Sequence, residues 1–214
     1  SCGPAMMFGS DSLLLQCGWN TLSVPIKLAP EADTFREIAG LGSFITQDNF
    51  VWVLRWDAAA DKWVDAGSSG EQIIPGRGYY IKMKEESRFP VLYNAGPSPG
   101  LTDIPLESGW NLIGSTWGID RCDGKSRGDE GRWAIASPDV RDDEAFMSVT
   151  DALESIKNGN TGDRGVAIIV SPPVSGQIRS WSAPVTTGFW DPLKNQEKMA
   201  TGEGYWVFMV TPGR

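Results

Sequence analysis

Apolar and polar positions divide the chain into short segments separated by glycine and proline, the pattern of many strands joined by turns. Phe50–Trp56 (Phe-Val-Trp-Val-Leu-Arg-Trp) is the strongest strand signal, a β-branched and aromatic run. Asp57–Lys62 predicts a turn, and Trp63-Val64 its returning hairpin partner. Tyr79–Met83 and Arg88–Tyr93 predict two more strands. Trp19, Leu22, Val24 and Ile26 predict another, with Pro25 placing it at an edge or a strand end. Ala32–Leu41 has a different period: Phe35, Ile38 and Leu41 recur at helical spacing, with Asp33 or Thr34 as N-cap and Gly40 and Gly42 to end the helix. Ahead of Leu13, an apolar island at Ala5-Met6-Met7-Phe8 predicts a lead-in arm or edge strand.

Two phrases then recur in the same order. Gly18-Trp19-Asn20 returns as Gly109-Trp110-Asn111, and Pro75-Gly76-Arg77-Gly78-Tyr79-Tyr80-Ile81 is answered by Thr201-Gly202-Glu203-Gly204-Tyr205-Trp206-Val207. Such recurrence implies a duplicated unit. The fold expected is mainly β with minor α: two homologous, pseudo-symmetric antiparallel β units, each with one short helix. Residues 1–95 would hold the arm and the first unit, and residues 101–214 the second, with Ala95–Gly100 (Ala-Gly-Pro-Ser-Pro-Gly) as the linker. In the second unit Val149, Leu153 and Ile156 predict the helix, Val166–Val170 a buried strand, and Gly204–Val210 the closing strand.

Gly109 follows Gly18 by 91 residues, whereas Gly204 follows Gly78 by 126, so the second copy carries 35 extra residues. The charged, glycine-rich stretch at about 118–145 is the expected site of that insertion, at the surface. Glycine in each repeated phrase is expected to allow positive φ. The paired aromatics that follow should face opposite sides of a strand, one inward and one outward. A strand, not a helix, follows Gly-x-Gly, which argues for a hairpin turn over a phosphate loop.

The phrases "GWN…" and "GxGYW" resemble tandem β repeat modules of secreted and cell-surface proteins of bacteria and archaea. The likeness runs from about Leu13 to Met83 and from Leu106 to Val210; Tyr80 stands where tryptophan is common, and Thr116 where a proline matching Pro25 would be. The resemblance implies an extracellular or cell-surface, non-catalytic structural or adhesive module, of the surface-layer or adhesin kind. It carries over no active-site residue.

Charge and composition narrow the chemistry. A net charge of −8 with scattered basic residues disfavours nucleic acid. The chain has no histidine, which removes His-based acid–base and nucleophile systems and His-ligated metals. Cys2, Cys17 and Cys122 are too few for a Cys₄ zinc site; a Cys2–Cys17 bridge and three free thiols both remain open. No apolar run is long enough for a transmembrane helix, and the residues opening at Ser1 show no signal-peptide pattern.

Three candidate chemistries remain. Asp120, Asp123, Asp129 and Glu130 offer oxygen ligands in a glycine-rich loop, making calcium the one candidate ion; a solvated loop is the alternative. Ten tryptophans suggest saccharide stacking. Trp19, Trp52, Trp56, Trp110 and Trp206 are nevertheless expected in the core, which leaves Trp133 as the candidate ligand platform. A two-carboxylate hydrolase finds no selected pair: Arg77 holds the place of Glu203 in the first copy, and a site that takes either charge predicts an exposed turn tip. The chain is therefore read as a non-catalytic module of an extracellular layer, filament or adhesin. Self-association or contact with envelope proteins would run through Met6, Met7, Phe8 and strand edges. A polysaccharide- or host-surface-binding module and a viral or phage structural protein are the alternatives.

Overall fold

The computed structural model describes residues 7–25, 27–41, 49–95, 104–114, 146–148, 165–171, 180–182, 198–200 and 202–212. The protein is mainly β, with several antiparallel sheets and little helix. β1 (Met7–Leu15) pairs along its whole length with β6 (Ser87–Ala95), so the predicted arm is one strand of a nine-residue ladder. Pro90 of β6 lies opposite Ser12 in this two-stranded sheet, where a missing N–H is tolerated.

The first four-stranded sheet runs β2 (Gly18–Ser23), β5 (Gly78–Met83), β3 (Phe50–Asp57), β4 (Lys62–Asp65). β2 stops just before Pro25, as the proline predicts. Alternation in β5 turns Tyr79, Ile81 and Met83 inward and leaves Tyr80 and Lys82 on the outer face. The inward residues join Leu13, Leu15, Leu22, Val24, Val53, Phe89 and Val91 in one buried cluster. Burying an aliphatic or aromatic side chain of this size contributes roughly 1.5–3 kcal/mol.

The helix is shorter than predicted. Pro30–Ala32 is a 3₁₀ turn, and α1 runs Phe35–Gly40. Thr34 is the N-cap: its hydroxyl accepts from the Glu37 N–H at 3.1 Å, and Glu37 accepts from the Thr34 N–H at 3.1 Å. Asp33 is engaged elsewhere, accepting from Gln72 at 2.7 Å. Phe35 and Ile38 enter the core, while Leu41 is exposed.

The second four-stranded sheet runs β7 (Gly109–Gly114), β12 (Gly204–Met209), β9 (Val166–Val170), β10 (Ser180–Ser182). A further pair joins β8 (Phe146–Ser148) to β11 (Lys198–Ala200). Tyr205, Val207 and Met209 turn inward and meet Leu106, Ile113, Val166 and Ile169 in a second buried cluster. β7 meets β12 in the same register as β2 meets β5: Ser23 lies opposite Gly78 and Gly114 opposite Gly204, while Gly18 and Gly109 lie opposite Met83 and Met209. The helix expected over 149–157 lies outside the described residues.

Candidate functional site: an aromatic face across two sheets

The repeated residues perform local structural work. The Asn20 amide donates to the carbonyls of Gln16 (2.8 Å) and Gly18 (3.1 Å), and its oxygen accepts from the Gln16 N–H (2.8 Å). The Asn111 amide donates to Glu107 (2.8 Å) and Gly109 (3.1 Å), and accepts from the Glu107 N–H (3.0 Å). Gly18 and Gly109 hold φ of +95° and +100°, a conformation that suits glycine. Gly76 and Gly202 are also at positive φ, +76° and +93°. The second glycine of each Gly-x-Gly phrase differs from expectation: neither Gly78 nor Gly204 is at positive φ. A Cβ on Gly78 would stand 2.5 Å from Leu112 Cγ, so close approach requires that glycine.

That approach joins the two sheets. The Ser23 N–H donates to the Gly202 carbonyl at 2.8 Å, and the Gly114 N–H donates to the Gly76 carbonyl at 2.8 Å. Counted from the recurring phrases, Ser23 stands where Gly114 does, and Gly76 where Gly202 does. Gly204 N–H adds a bond to Thr21 Oγ1 at 3.3 Å. The Ser23 hydroxyl is buried at this junction without a partner.

Above the junction the outer faces carry linked rings. Trp56 and Trp63 sit directly opposite on β3 and β4, centroids 5.2 Å apart and edge to face. Trp206 of β12 lies 5.7 Å from each and 6.3 Å from Tyr80. Trp110 and Phe208 extend the group on one side, at 6.3 Å from Trp206 and 5.1 Å from each other. Trp19 extends it on the other, 6.2 Å from Tyr80. Each edge-to-face pair adds roughly 0.5–1.5 kcal/mol beyond burial. The Trp56 indole N–H donates to the Trp110 carbonyl at 2.8 Å, and the Trp206 N–H to the Tyr80 hydroxyl at 3.3 Å.

The tryptophans are therefore not in the core as predicted. Trp19, Trp52, Trp63 and Trp110 are 51%, 55%, 44% and 38% exposed, and Trp56 and Trp206 are half-buried between the sheets. Strand register explains this. Lys82 lies opposite Trp19 on β2 and opposite Trp52 on β3, and directly opposed residues share a face. The inward places on β5 belong to Tyr79, Ile81 and Met83. Lys82 stands 5.8 Å from the Trp19 ring, a cation over an aromatic face.

Beside this face a shallow cleft of about 160 Å³ is lined by Arg55, Asp57, Arg77, Ile104 and Asn111, among others. Its two arginines are already paired. Arg55 contacts Glu71 at 2.7 Å and Asp57 at 3.5 Å, and Arg77 contacts Glu71 at 3.2 Å. Burial disfavours the Arg55 charge, but the Glu71 and Asp57 carboxylates outweigh it and raise the pKa. Asp57 is held below the usual carboxylate range, first by the Ala60 N–H and then by Arg55. Tyr79 is pushed up by burial. Arg77 is not an exposed turn tip: its backbone bridges to Ile113, and Glu203 accepts from the Tyr205 hydroxyl at 3.0 Å.

No family model, curated protein or solved structure matches this chain.

The residues singled out from sequence fall elsewhere. Asp120, Asp123, Asp129, Glu130, Trp133 and Met6 lie outside the described residues. Met7 and Phe8 open β1, opposite Ala95 and Asn94. Among the described residues no group of three or more His, Cys, Asp or Glu could hold a metal ion. Also among them, no helix is long and apolar enough to cross a membrane. Cys17 is a free, exposed cysteine whose thiol lies 3.1 Å from the Lys84 carbonyl; Cys2 and Cys122 lie outside the described residues. Sequence reasoning missed Trp19, Trp52 and Lys82 as a group. The available signal was partial: alternation in Tyr79–Met83 fixes Lys82 outward, but only the strand register brings Trp19 and Trp52 to the same face.

Proposed function

We propose that the chain is a non-catalytic structural module of an extracellular assembly, a surface layer, filament or adhesin, built from two homologous, pseudo-symmetric β units. The observation that carries this reading is the work of the repeated residues. Asn20 and Asn111 brace the same backbone atoms, and Ser23–Gly202 and Gly114–Gly76 exchange equivalent positions across the junction. Residues preserved between copies for scaffold work point away from a catalytic centre. A polar cluster that could act as acid and base is instead closed into the Arg55–Glu71–Arg77 ion pairs.

Assembly would proceed through strand edges. β1 is nine residues long and pairs on one side with β6; no described strand occupies its other edge. An edge of that length is a template for strand addition. Sedimentation velocity over a wide concentration range, with and without Ca²⁺, tests this together with mass spectrometry of intact envelopes. Concentration-dependent oligomers and an envelope location are expected. A monomer throughout, absent from envelopes, overturns it.

A saccharide-binding module is the second reading, favoured by the half-exposed indoles of Trp19 and Trp52.

A further inference from the structure

We infer that the outer face of β2, β5 and β3 is a binding strip for a neutral, extended β-1,4-linked polysaccharide, with Trp19 and Trp52 as stacking platforms and Lys82 as the polar group between them. The inference rests on the second reading above and does not require self-assembly.

The register carries the argument. Lys82 occupies the middle strand and opposes both tryptophans, so Trp19, Lys82 and Trp52 stand in a row across one face of the sheet, with the ammonium 5.8 Å from the Trp19 ring. Two inter-strand steps separate the indoles, roughly 10 Å. That is of the order of the disaccharide repeat in an extended β-1,4 ribbon, in which alternate sugars present the same face. A pyranose ring offers C–H groups to an aromatic face and hydroxyls at its edge. Two aromatic residues flanking a lysine, whose flexible stem lets its three-donor ammonium swing to a sugar edge, suit that alternation. A protein partner's apolar patch would instead bury the Lys82 charge without a counter-charge.

The Trp19 end of the strip is held before any ligand arrives. Trp19 packs edge to face on Tyr80 at 6.2 Å and lies under Lys82. Trp52 follows the register shift between Phe50 and Trp52, which re-aims that strand. A ring held as Trp19 is loses little freedom on binding. Charge selects the class: a chain of net charge −8 repels polyuronates and sulfated glycans, and one Lys82 does not offset that field.

Isothermal calorimetry and tryptophan fluorescence with cellohexaose test the strip, alongside maltohexaose and polygalacturonate. Saturable binding of cellohexaose is expected, with at least tenfold weaker binding of the other two. Trp19→Ala and Trp52→Ala should each weaken cellohexaose binding tenfold or more, and Lys82→Met severalfold, with thermal melts unchanged. Lys62→Ala, on β4, should bind as the parent does. If a tryptophan variant melts early, Trp19→Phe or Trp52→Phe replaces it, with a smaller loss expected. No cellohexaose binding, equal binding of maltohexaose, preference for polygalacturonate, or binding indifferent to Trp19 and Trp52 each overturns the inference. Sedimentation reports separately on assembly, so failure here leaves that reading standing or falling by itself.

Discussion

The indole of Trp56 on β3 ends on the main-chain carbonyl of Trp110 on β7, 2.8 Å away, so a side chain of one sheet is bonded to the backbone of the other. Trp56→Phe keeps most of the ring packing against Trp63 and Trp206 and deletes this bond. A loss of about 1–2 kcal/mol is expected, from the missing hydrogen bond and the smaller ring. Urea denaturation measures it; an unchanged midpoint would show that the bond contributes nothing.

The glycines of β7 separate two kinds of requirement. Gly109 is at φ +100° with open space around a would-be Cβ, so Gly109→Ala strains only the backbone, by roughly 1–2 kcal/mol. At Gly114 a Cβ would collide with Ser23 and lie 2.8 Å from the Glu203 carbonyl. Gly114→Ala must push the sheets apart, lengthening the Gly114–Gly76 bond as well, and should cost more, roughly 3 kcal/mol. Thermal melts of the two variants compare them directly. The order reverses only if the junction is looser than these contacts.

Ser23 gives the opposite sign. Its buried hydroxyl has no partner, while its backbone N–H bonds Gly202. Ser23→Ala removes the unsatisfied group without adding volume and should stabilise by about 1 kcal/mol. A lower melting temperature for this variant would mean that the hydroxyl does find a partner in solution.

Acid should weaken the fold through two loops. Asp65 is partly buried, which raises its pKa, but the Ser68 hydroxyl and the Ser68 and Gly67 N–H groups overcome this and hold it below 3.8. Asp57 is also held low, by the Ala60 N–H and Arg55. Both contribute stability above 3.8 that is lost as pH falls through their folded-state values. Asp33 works the other way. Burial first, then Glu37, raises its pKa, so its contribution is present below 3.8 and disappears as pH rises through the raised value. Asp65→Asn should flatten the fall in urea midpoint between pH 5 and pH 2.5. Asp33→Asn should be neutral to stabilising at pH 7. Curves that superimpose on the parent for both variants contradict these assignments.

Much of the fold was legible where chemistry allows one arrangement. The Tyr79–Met83 alternation can be read only with Tyr79, Ile81 and Met83 inward, and Thr34 with Glu37 three residues on marks a helix start. Phe50–Trp56 is legible as a strand but not as a face, because apolar residues occupy both parities. Only pairing with β5 shows that Val53 is inward and Trp52 outward. Trp19 and Trp110 mislead for the same reason: an indole after a repeated glycine reads as core, and a neighbouring strand decides otherwise. The junction at Gly78 and Gly114 was hidden, since a glycine required by close approach reads the same as one required by a turn.

The β1–β6 ladder also sets a schedule. Met7 pairs with Ala95 and Leu15 with Ser87, so β1 must wait for β6, with everything in β2 to β5 between them. During synthesis at roughly 5–20 residues per second, Leu13 and Leu15 stay uncovered for several seconds before Phe89 and Val91 emerge. High sequence separation of this kind slows folding. The strand whose free edge is proposed to join copies of the finished protein is thus also the one left unpaired longest on the nascent chain, and premature pairing between neighbouring ribosomes is its characteristic hazard.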